Sequence, residues 1–280
     1  MRLVVCYNPT PMSDDLSEQA VSAALTTAWL GRPYRYVART GSTNDDLKRW
    51  AAGGAPHGAV LLTDFQSAGR GRLDRRWEAP PGTSLLFSAL LRPVGWPAER
   101  GAWLTMLAAL AAAEAIEAVV GLPAGLKWPN DVLLDADGWR KAAGLLLDTS
   151  FDAAGGLETA VIGIGVNVNI GPADLPAAAT PATSLLVARG RPVSRRALLI
   201  ELLARLERGY AAAAAGQSPV PGWSARLLTL GQGVHVTSGA TAATLSGTAE
   251  GTDEWGRLLV RDAAGHLHTI AAGDVTLRGH

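Results

Sequence analysis

The segment 66–77 concentrates charge in a chain whose formal net charge is zero. It holds two glycines, Gly69 and Gly71, one carboxylate, and four arginines: Arg70, Arg72, Arg75 and Arg76. Guanidinium groups present paired N–H donors that match the oxygens of a carboxylate or a phosphate. Glycine lets the backbone approach a ligand closely. This segment, called the arginine loop below, predicts an anion-binding site, with a solvated basic loop as the alternative.

A predicted strand ends in the second cluster, residues 127–131 (Lys-Trp-Pro-Asn-Asp). Proline restricts the residue before it to extended backbone and Asn-Asp favours a turn, so an aromatic face is presented beside a carboxylate. Shortly after it, Lys141 precedes Gly144, and a glycine can admit a ligand beside the lysine. The alternatives are an ordinary strand–turn–strand and a solvated lysine.

Period-two alternation marks the third cluster, residues 162–170. Its small and amide-bearing side chains fall on one face of a predicted strand: Gly163, Gly165, Asn167 and Asn169. The β-branched residues fall on the other face and predict a buried core. Glycines weaken a strand, so here they indicate close approach of a ligand or of another backbone. Tight packing of the sheet against a helix is the structural alternative.

Short segments of strand and helix character position these clusters. Strands are predicted at 34–38, 59–64, 84–91, 125–127, 132–134, 141–149 and 158–170. Helices are predicted at 16–30, from Ser42 onward, at 100–120 and at 194–215, with Ser42 or Thr43 and a following carboxylate as a cap for the second. After Gly231, short alternating runs separated by turn residues predict a small antiparallel β-barrel.

Length and composition favour one large domain and a small one, because single cores stop growing near roughly 250 residues. We expect an N-terminal extension over 1–33, a catalytic domain over 34–222 and the β module over 223–280.

The single cysteine, Cys6, excludes an intramolecular disulfide, and the scattered histidines complete no metal site. Balanced charge argues against a nucleic-acid or membrane surface. The apolar run 103–120 contains two glutamates and predicts a buried helix, and without a signal peptide a cytoplasmic protein is expected.

The clusters occur in one order along residues 36–280: 41–44 (Gly-Ser-Thr-Asn), the arginine loop, 127–131, 141–144 (Lys-Ala-Ala-Gly) and 163–167 (Gly-Ile-Gly-Val-Asn). In this combination the chain resembles the biotin–protein ligase family. The resemblance implies an α+β fold, in which a mixed-sheet catalytic domain of the biotin/lipoate ligase type precedes a small C-terminal SH3-like β-barrel. The first 33 residues are too short and too weakly basic for a DNA-binding domain, which is typical of the short class.

The resemblance implies a two-step reaction that uses ATP and Mg²⁺. Biotin and ATP give biotinoyl-5′-adenylate and pyrophosphate, and a lysine of a biotin carboxyl carrier domain then attacks the mixed anhydride. The partner would belong to a biotin-dependent carboxylase, and the ligase itself would be a monomer or a homodimer. A lipoate or octanoate ligase is one alternative, although those relatives carry another Arg/Gly signature and lack the β module. A non-catalytic biotin-adenylate-binding protein is the other, and as a regulator of transcription it would require a DNA-binding element.

Site residues follow from the resemblance position by position. Biotin binding is assigned to Ser42, Thr43, Gln66, Gly69, Arg70, Gly71, Arg72, Lys141 and Gly144. Nucleotide binding is assigned to Arg72, Arg75, Trp77, Asn130, Asp131, Lys141, Asn167 and Arg278. Catalysis is assigned to Lys141, Arg72 and Asp131.

Two of these assignments specify chemistry, and one neighbouring residue departs from the family pattern. Lys141 would neutralise charge that develops on the carboxylate and α-phosphate oxygens. Asp131 would orient Mg²⁺ together with Asn130, and would accept a proton or a hydrogen bond from the attacking amine. The family usually has glycine where this chain has Asp74. A carboxylate inside the arginine loop is expected to oppose an anionic ligand unless it points outward.

Overall fold

The computed structural model describes residues 14–73, 75–177, 180–238 and 243–277. Three residues discussed above, Cys6, Asp74 and Arg278, lie outside these ranges. The described chain forms a mixed α/β unit followed by a small antiparallel β unit. This architecture confirms the predicted fold class.

A seven-stranded mixed sheet forms the frame of the larger unit. Its strands are β1 (Tyr34–Val37), β2 (Val60–Thr63), β3 (Ser84–Leu91), β4 (Ala124–Lys127), β5 (Asp131–Asp135), β6 (Trp139–Phe151) and β7 (Leu157–Asn167). The order across the sheet is β1-β2-β3-β7-β6-β5-β4, with β1 and β2 parallel and the other neighbours antiparallel. Every residue of β3 is buried, as expected for a central strand that is covered on both faces.

Six α-helices accompany the two sheets in the described part of the chain. They are α1 (Glu18–Ala24), α2 (Thr43–Ala52), α3 (Gly101–Val120), α4 (Leu185–Arg189), α5 (Arg195–Ala214) and α6 (Val220–Ser224). The alanine-rich α3 ends at Gly121, whose φ of 78° suits glycine, and it packs against α5 and one face of the sheet. By length and composition alone the segment Ala98–Val120 could cross a membrane, but 67% of its most apolar window is buried inside the protein. This burial confirms the prediction of a core helix.

The helix predicted over 16–30 is too long, because α1 stops at Ala24. Beyond it, the backbone N–H groups of Ala28, Trp29 and Leu30 all donate to the Glu207 carboxylate at 2.8–2.9 Å. A continued helix would have used these N–H groups internally, so a long-range contact overrides the local preference. Leucine and valine side chains of this stretch are nevertheless part of the main core.

The opposite face of the sheet carries α2, whose Leu47 is fully buried in a small separate apolar cluster. The helix itself confirms the prediction from Ser42 onward, but the capping bond does not form. Ser42 stands at the N-cap position with extended backbone and makes no side-chain bond to the helix. Instead, the first-turn N–H of Thr43 donates to Gln66 Oε1 at 2.8 Å. A side chain from the arginine loop therefore satisfies the helix end.

The C-terminal unit is a five-stranded antiparallel sheet in the order β11-β10-β9-β8-β12. Its strands are β8 (Gly233–Ser238), β9 (Ala243–Thr252), β10 (Leu258–Arg261), β11 (Leu267–Ile270) and β12 (Asp274–Leu277). Its buried side chains join the core of the larger unit, and Trp128 Nε1 donates to Gly256 O at 3.0 Å across the junction. The predicted boundary at 222 falls inside α6, and the three-part division of the chain stays a prediction.

Candidate active site

Glycines of β6 and β7 form the floor of a region where residues from all five predicted motifs meet. A Cβ built on Gly165 would lie 2.6 Å from the Trp77 indole, and one on Gly144 would lie 2.8 Å from it. A Cβ on Gly163 would lie 2.2 Å from Asn44 Oδ1 of α2. The close neighbour of Gly165 and Gly144 is thus the Trp77 side chain, and approach of a ligand to these glycines stays a prediction. At Gly163 the approaching group belongs to a helix, which was the structural alternative.

A cavity of about 550 Å³ opens above this floor. Thirteen predicted site residues line it: Ser42, Thr43, Gln66, Arg70, Gly71, Arg72, Arg75, Trp77, Asn130, Asp131, Lys141, Gly144 and Asn167. Gly69 does not line it. The carbonyl of Gly69 accepts from Trp77 N at 3.0 Å, and a Cβ on Gly69 would lie 2.3 Å from Trp77 O. Gly69 thus closes the backbone of the arginine loop on itself.

Hydroxyl and amide groups line one end of the cavity, called the hydroxyl–amide end below (Ser42, Thr43 and Gln66). Thr43 Oγ1 lies 3.1 Å from Gln66 Oε1, and the buried Ser88 Oγ lies 2.7 Å from Thr43 Oγ1. These neutral groups can both donate and accept hydrogen bonds. Such an end suits a polar, uncharged ring.

The opposite, cationic end (Arg72, Asn130, Asp131 and Lys141) is built where β4, β5 and β6 meet. Lys141 Nζ lies 2.7 Å from Asp131 Oδ1 and 5.6 Å from the centre of the Trp77 ring. Two hydrogen bonds to the Leu145 backbone fix Asn130. The side-chain Nδ2 of Asn130 donates to Leu145 O at 2.6 Å, and the backbone carbonyl of Asn130 accepts from Leu145 N at 3.1 Å.

Arg72 is the cation at this end whose charge stays available. Its guanidinium donates to Asn130 Oδ1 at 3.2 Å and to Gly273 O at 3.0 Å, and both acceptors are neutral. No carboxylate of the described residues forms an ion pair with it. Burial lowers the pKa of Arg72, against the opposing pull of Asp274 and Asp131, yet arginine remains charged. An anionic ligand would supply the missing partner.

The C-terminal unit reaches the cavity at the start of β12. Asp274 lines the cavity and its carboxylate lies 2.7 Å from Arg75 Nη2, next to the Gly273 carbonyl that holds Arg72. The resemblance assigned nucleotide binding to Arg278 of this unit, and that residue lies outside the described part. Asp274 carried no signal in the sequence, because only the packing of the two units brings it to the arginine loop.

Two further residues of the site were missed from the sequence, Asn44 and Asp148. Asn44 stands in the motif 41–44 but was given no role. Asp148 contacts Arg70 at 2.5 Å and lies beyond Gly144 and Leu146 on the same face of β6. Extending the period-two alternation from Gly144 would have placed Asp148 on the same face of β6, next to residues that line the cavity.

Amide side chains at the end of β7 hold the chain that crosses beside the cavity. Asn167 Nδ2 donates to Thr183 O at 3.0 Å, and the backbone of Lys141 pairs with the same crossing segment through Thr183 N at 2.9 Å. Lys127, which is almost fully buried, donates to Thr180 Oγ1 at 2.7 Å, and burial lowers its pKa. These contacts fix the wall of the cavity next to the cationic end.

The carboxylates and the indole of the cavity decide which metals and ligands it can hold. Within the described ranges, no three His, Cys, Asp or Glu side chains cluster as a protein-only metal site. Asp131 and Asp274 nevertheless line the same cavity, and Mg²⁺ is commonly held by one or two carboxylates together with substrate phosphates. Trp77 Nε1 is buried with no acceptor in the described chain, so it could donate to a ligand.

Comparisons with known proteins agree with this geometry. The model of the biotin/lipoate A/B protein ligase family matches residues 36–167, and that of the biotin protein ligase C-terminal domain matches residues 229–278. A biotin–acetyl-CoA-carboxylase ligase from Mycobacterium tuberculosis is 35% identical over 93% of this chain and 95% of its own length. One from Paracoccus denitrificans is 35% identical over 87% of this chain and 100% of its own length.

Similarity extends to solved structures. A biotin protein ligase from Aquifex aeolicus, in complex with biotin and ATP, superposes with a TM-score of 0.71 at 28% identity. The match covers 88% of this chain and 99% of the Aquifex chain, so it includes both units described above. The chain belongs to the biotin protein ligase family.

Proposed function

We propose that this protein activates biotin with ATP and transfers the biotinoyl group to a lysine of a biotin carboxyl carrier protein. The observation that carries the proposal is the charge of Arg72, held by neutral oxygens in a cavity whose far end offers hydroxyl and amide groups. One cavity can therefore receive a molecule with a polar neutral ring at one end and an anion at the other. Biotin has this form, and the Aquifex relative is known in complex with biotin and ATP.

In the first step, a carboxylate oxygen of biotin attacks the α-phosphorus of ATP. The new P–O bond forms as the bond to the bridging oxygen breaks, and pyrophosphate leaves with the electron pair. Lys141 and Arg72 stand at the cationic end, where negative charge grows on the oxygens. Donors fixed in position in advance of the reaction stabilise such charge most effectively. We assign Lys141 and Arg72 to this step.

In the second step, the ε-amine of the carrier lysine attacks the carbonyl carbon of the mixed anhydride. The C–N bond forms, the carbonyl C–O bond breaks, and AMP leaves. The lysine ammonium must lose one proton before it attacks, because a free lysine has a pKa near roughly 10.4. We assign Asp131 as the acceptor that orients this amine, since its one ion pair among the described residues, to Lys141, engages Oδ1. No nucleophile from the ligase is required.

The proposal also includes a metal ion, a partner protein and a cellular compartment. The Asp131 and Asp274 carboxylates would hold Mg²⁺ bound to the ATP phosphates, where the ion would offset the charge of the leaving pyrophosphate. The partner is the carrier domain of a biotin-dependent carboxylase, which we expect to be modified in the cytoplasm. With a formal net charge of zero, the ligase offers no excess of positive charge to nucleic acid.

The test is carboxylate-dependent ATP–pyrophosphate exchange with the purified protein. Biotin, lipoate and octanoate are compared as acids, and no carrier protein is needed. We expect exchange with biotin and only background exchange with the other two acids. Exchange with lipoate or octanoate instead of biotin would contradict the proposal. Absence of exchange from a folded sample would point to a protein that binds biotin without activating it.

A further inference from the structure

Asn44, the second residue of α2, is seated on three strands of the main sheet. Its Oδ1 lies 2.6 Å from Ser88 Oγ on β3, and its Nδ2 donates to Leu146 O on β6 at 3.3 Å. Between them Gly163 of β7 leaves the space that the Asn44 amide fills. Ser88 pairs with Gly163 and Gly163 pairs with Leu146, so one row across the sheet forms this seat. The seat fixes the first turn of α2, which carries Thr43 into the cavity.

Asp148 closes the seat at its edge, two residues beyond Leu146 on the same face of β6. Its Oδ2 accepts from Asn44 Nδ2 at 3.2 Å and from Arg70 Nη2 at 2.5 Å, and Lys48 Nζ lies at 3.2 Å. Asn44 and Lys48 belong to α2, whereas Arg70 belongs to the arginine loop. This carboxylate oxygen therefore joins the helix behind the hydroxyl–amide end to the loop in front of it, beside a direct ion pair between Arg70 Nη2 and Asp45 Oδ1 of α2 at 3.0 Å.

We propose that Asp148 is a positioning residue for biotin activation, which holds the arginine loop closed against the first turn of α2. The inference rests on the proposed function, since it assigns a role within that reaction. Asp148 itself does not line the cavity, so it acts through Arg70 and Asn44, which both line it. The substrate contact that it affects most is the contact with the uncharged part of biotin.

The charges around Asp148 support this role. Burial alone would raise the pKa of Asp148, but hydrogen bonds from Asn44 and Arg70, and the charges of Arg70 and Lys48, outweigh burial and lower it. The carboxylate is thus ionised throughout the neutral range, and its hold on the loop does not depend on pH there. Asparagine has the shape of aspartate and therefore fits this position. A quarter of the Asp148 side chain is exposed, so the substitution does not leave a fully buried charge.

The experiment measures ATP–pyrophosphate exchange in the wild type and in Asp148→Asn, with KM determined separately for biotin and for ATP. We expect the KM for biotin to rise roughly tenfold, while kcat and the KM for ATP change less than about twofold. Asp148→Glu keeps the charge and should recover a large part of the loss. Glu158→Gln is the matched control, because Glu158 is an exposed carboxylate on the neighbouring strand β7.

A double-mutant cycle with Arg70→Gln separates positioning from general destabilisation. If Asp148 acts through Arg70, the double variant should have nearly the same KM for biotin as Arg70→Gln alone. The inference would be overturned if the rises in KM for biotin of the two single variants multiplied in the double variant, or if a folded Asp148→Asn variant had an unchanged KM for biotin. In either case exchange by the wild type would still uphold the proposed function. The inference would also be overturned if Asp148→Asn lowered kcat and raised both KM values by the same factor, and if Asp148→Glu recovered none of the loss. Lack of exchange in the folded wild type would remove both proposals together.

Discussion

Lys141 of β6 and Asp131 of β5 form an ion pair inside the cavity, with Nζ and Oδ1 2.7 Å apart. An ion pair in this position keeps the lysine extended toward the cationic end in the absence of a ligand. The pair also occupies the lysine, so an incoming anion has to compete with the carboxylate or share the lysine with it. The geometry predicts separate roles for the two residues, which can be tested one at a time.

Lys141→Met should reduce biotin-dependent ATP–pyrophosphate exchange by roughly 100-fold to 1000-fold, because a fixed cation that stabilises transition-state charge is lost. The measurement is kcat for exchange at saturating biotin and ATP. Arg140→Met is the matched control, since Arg140 is the preceding residue on β6 and its side chain is exposed. Similar losses in the two variants would argue against a specific role for Lys141.

Asp131→Asn should slow transfer to the carrier domain more than it slows exchange. The amide keeps the size of the side chain but can no longer accept a proton from the attacking amine. The two half-reactions are measured separately, by exchange and by single-turnover transfer from preformed adenylate. Asp135→Asn, at the exposed end of the same strand, serves as the control. Equal losses in both half-reactions would show that Asp131 acts only through Lys141.

Gly165→Ala should weaken the binding of both substrates, because the added Cβ would lie 2.6 Å from the Trp77 indole and force it off the floor. We expect KM for biotin and KM for ATP each to rise roughly tenfold, in line with the cost of overpacking a closely fitted site. The control is Gly251→Ala in β9, where a Cβ meets no atom within 4 Å. An unchanged KM would mean that Trp77 does not contact either substrate.

Arg195→Met should destabilise the fold by about 3 kcal/mol without altering exchange kinetics at low temperature. The buried guanidinium bridges Asp14 at 2.7 Å and Asp64 at 2.6 Å, and its removal leaves both carboxylates without this cation. Urea unfolding measures the loss. Arg208→Met, an exposed arginine of α5, should cost less than about 0.5 kcal/mol. A comparable cost in both variants would contradict the prediction.

His57 should make the protein less stable as the pH falls. Burial lowers its pKa below the ordinary value of 6.5, and Arg92 N donates to its unprotonated Nδ1 at 2.9 Å. Between the two pKa values the unfolded chain binds more protons, so this stability is present above pH 6.5 and is lost as the pH falls through the folded-state pKa. Unfolding free energies at about pH 7.5 and about pH 5 measure the effect, which should be smaller in His57→Phe. An equal pH effect in both proteins would rule His57 out.

Features that depend on neighbours along the chain could be predicted from the sequence alone. The two-residue period of a strand put Gly163, Gly165 and Asn167 on one face, and the folded protein has the first two beneath Asn44 and Trp77. Apolar length predicted α3 as a core helix, and turn residues predicted the β unit. The order of five motifs carried the family resemblance, which no single motif could have done.

The meeting of distant groups, in contrast, depends on tertiary packing. Asp148 joins α2 to the arginine loop, and Asp274 meets Arg75 from a separate unit, yet neither residue stands in a motif. The same limit explains the shortened α1, since Glu207 captures N–H groups that a local preference had assigned to a helix. Secondary structure follows from periodicities within a segment, whereas ion pairs follow from strand register and from the packing of units. Local sequence does not encode that packing.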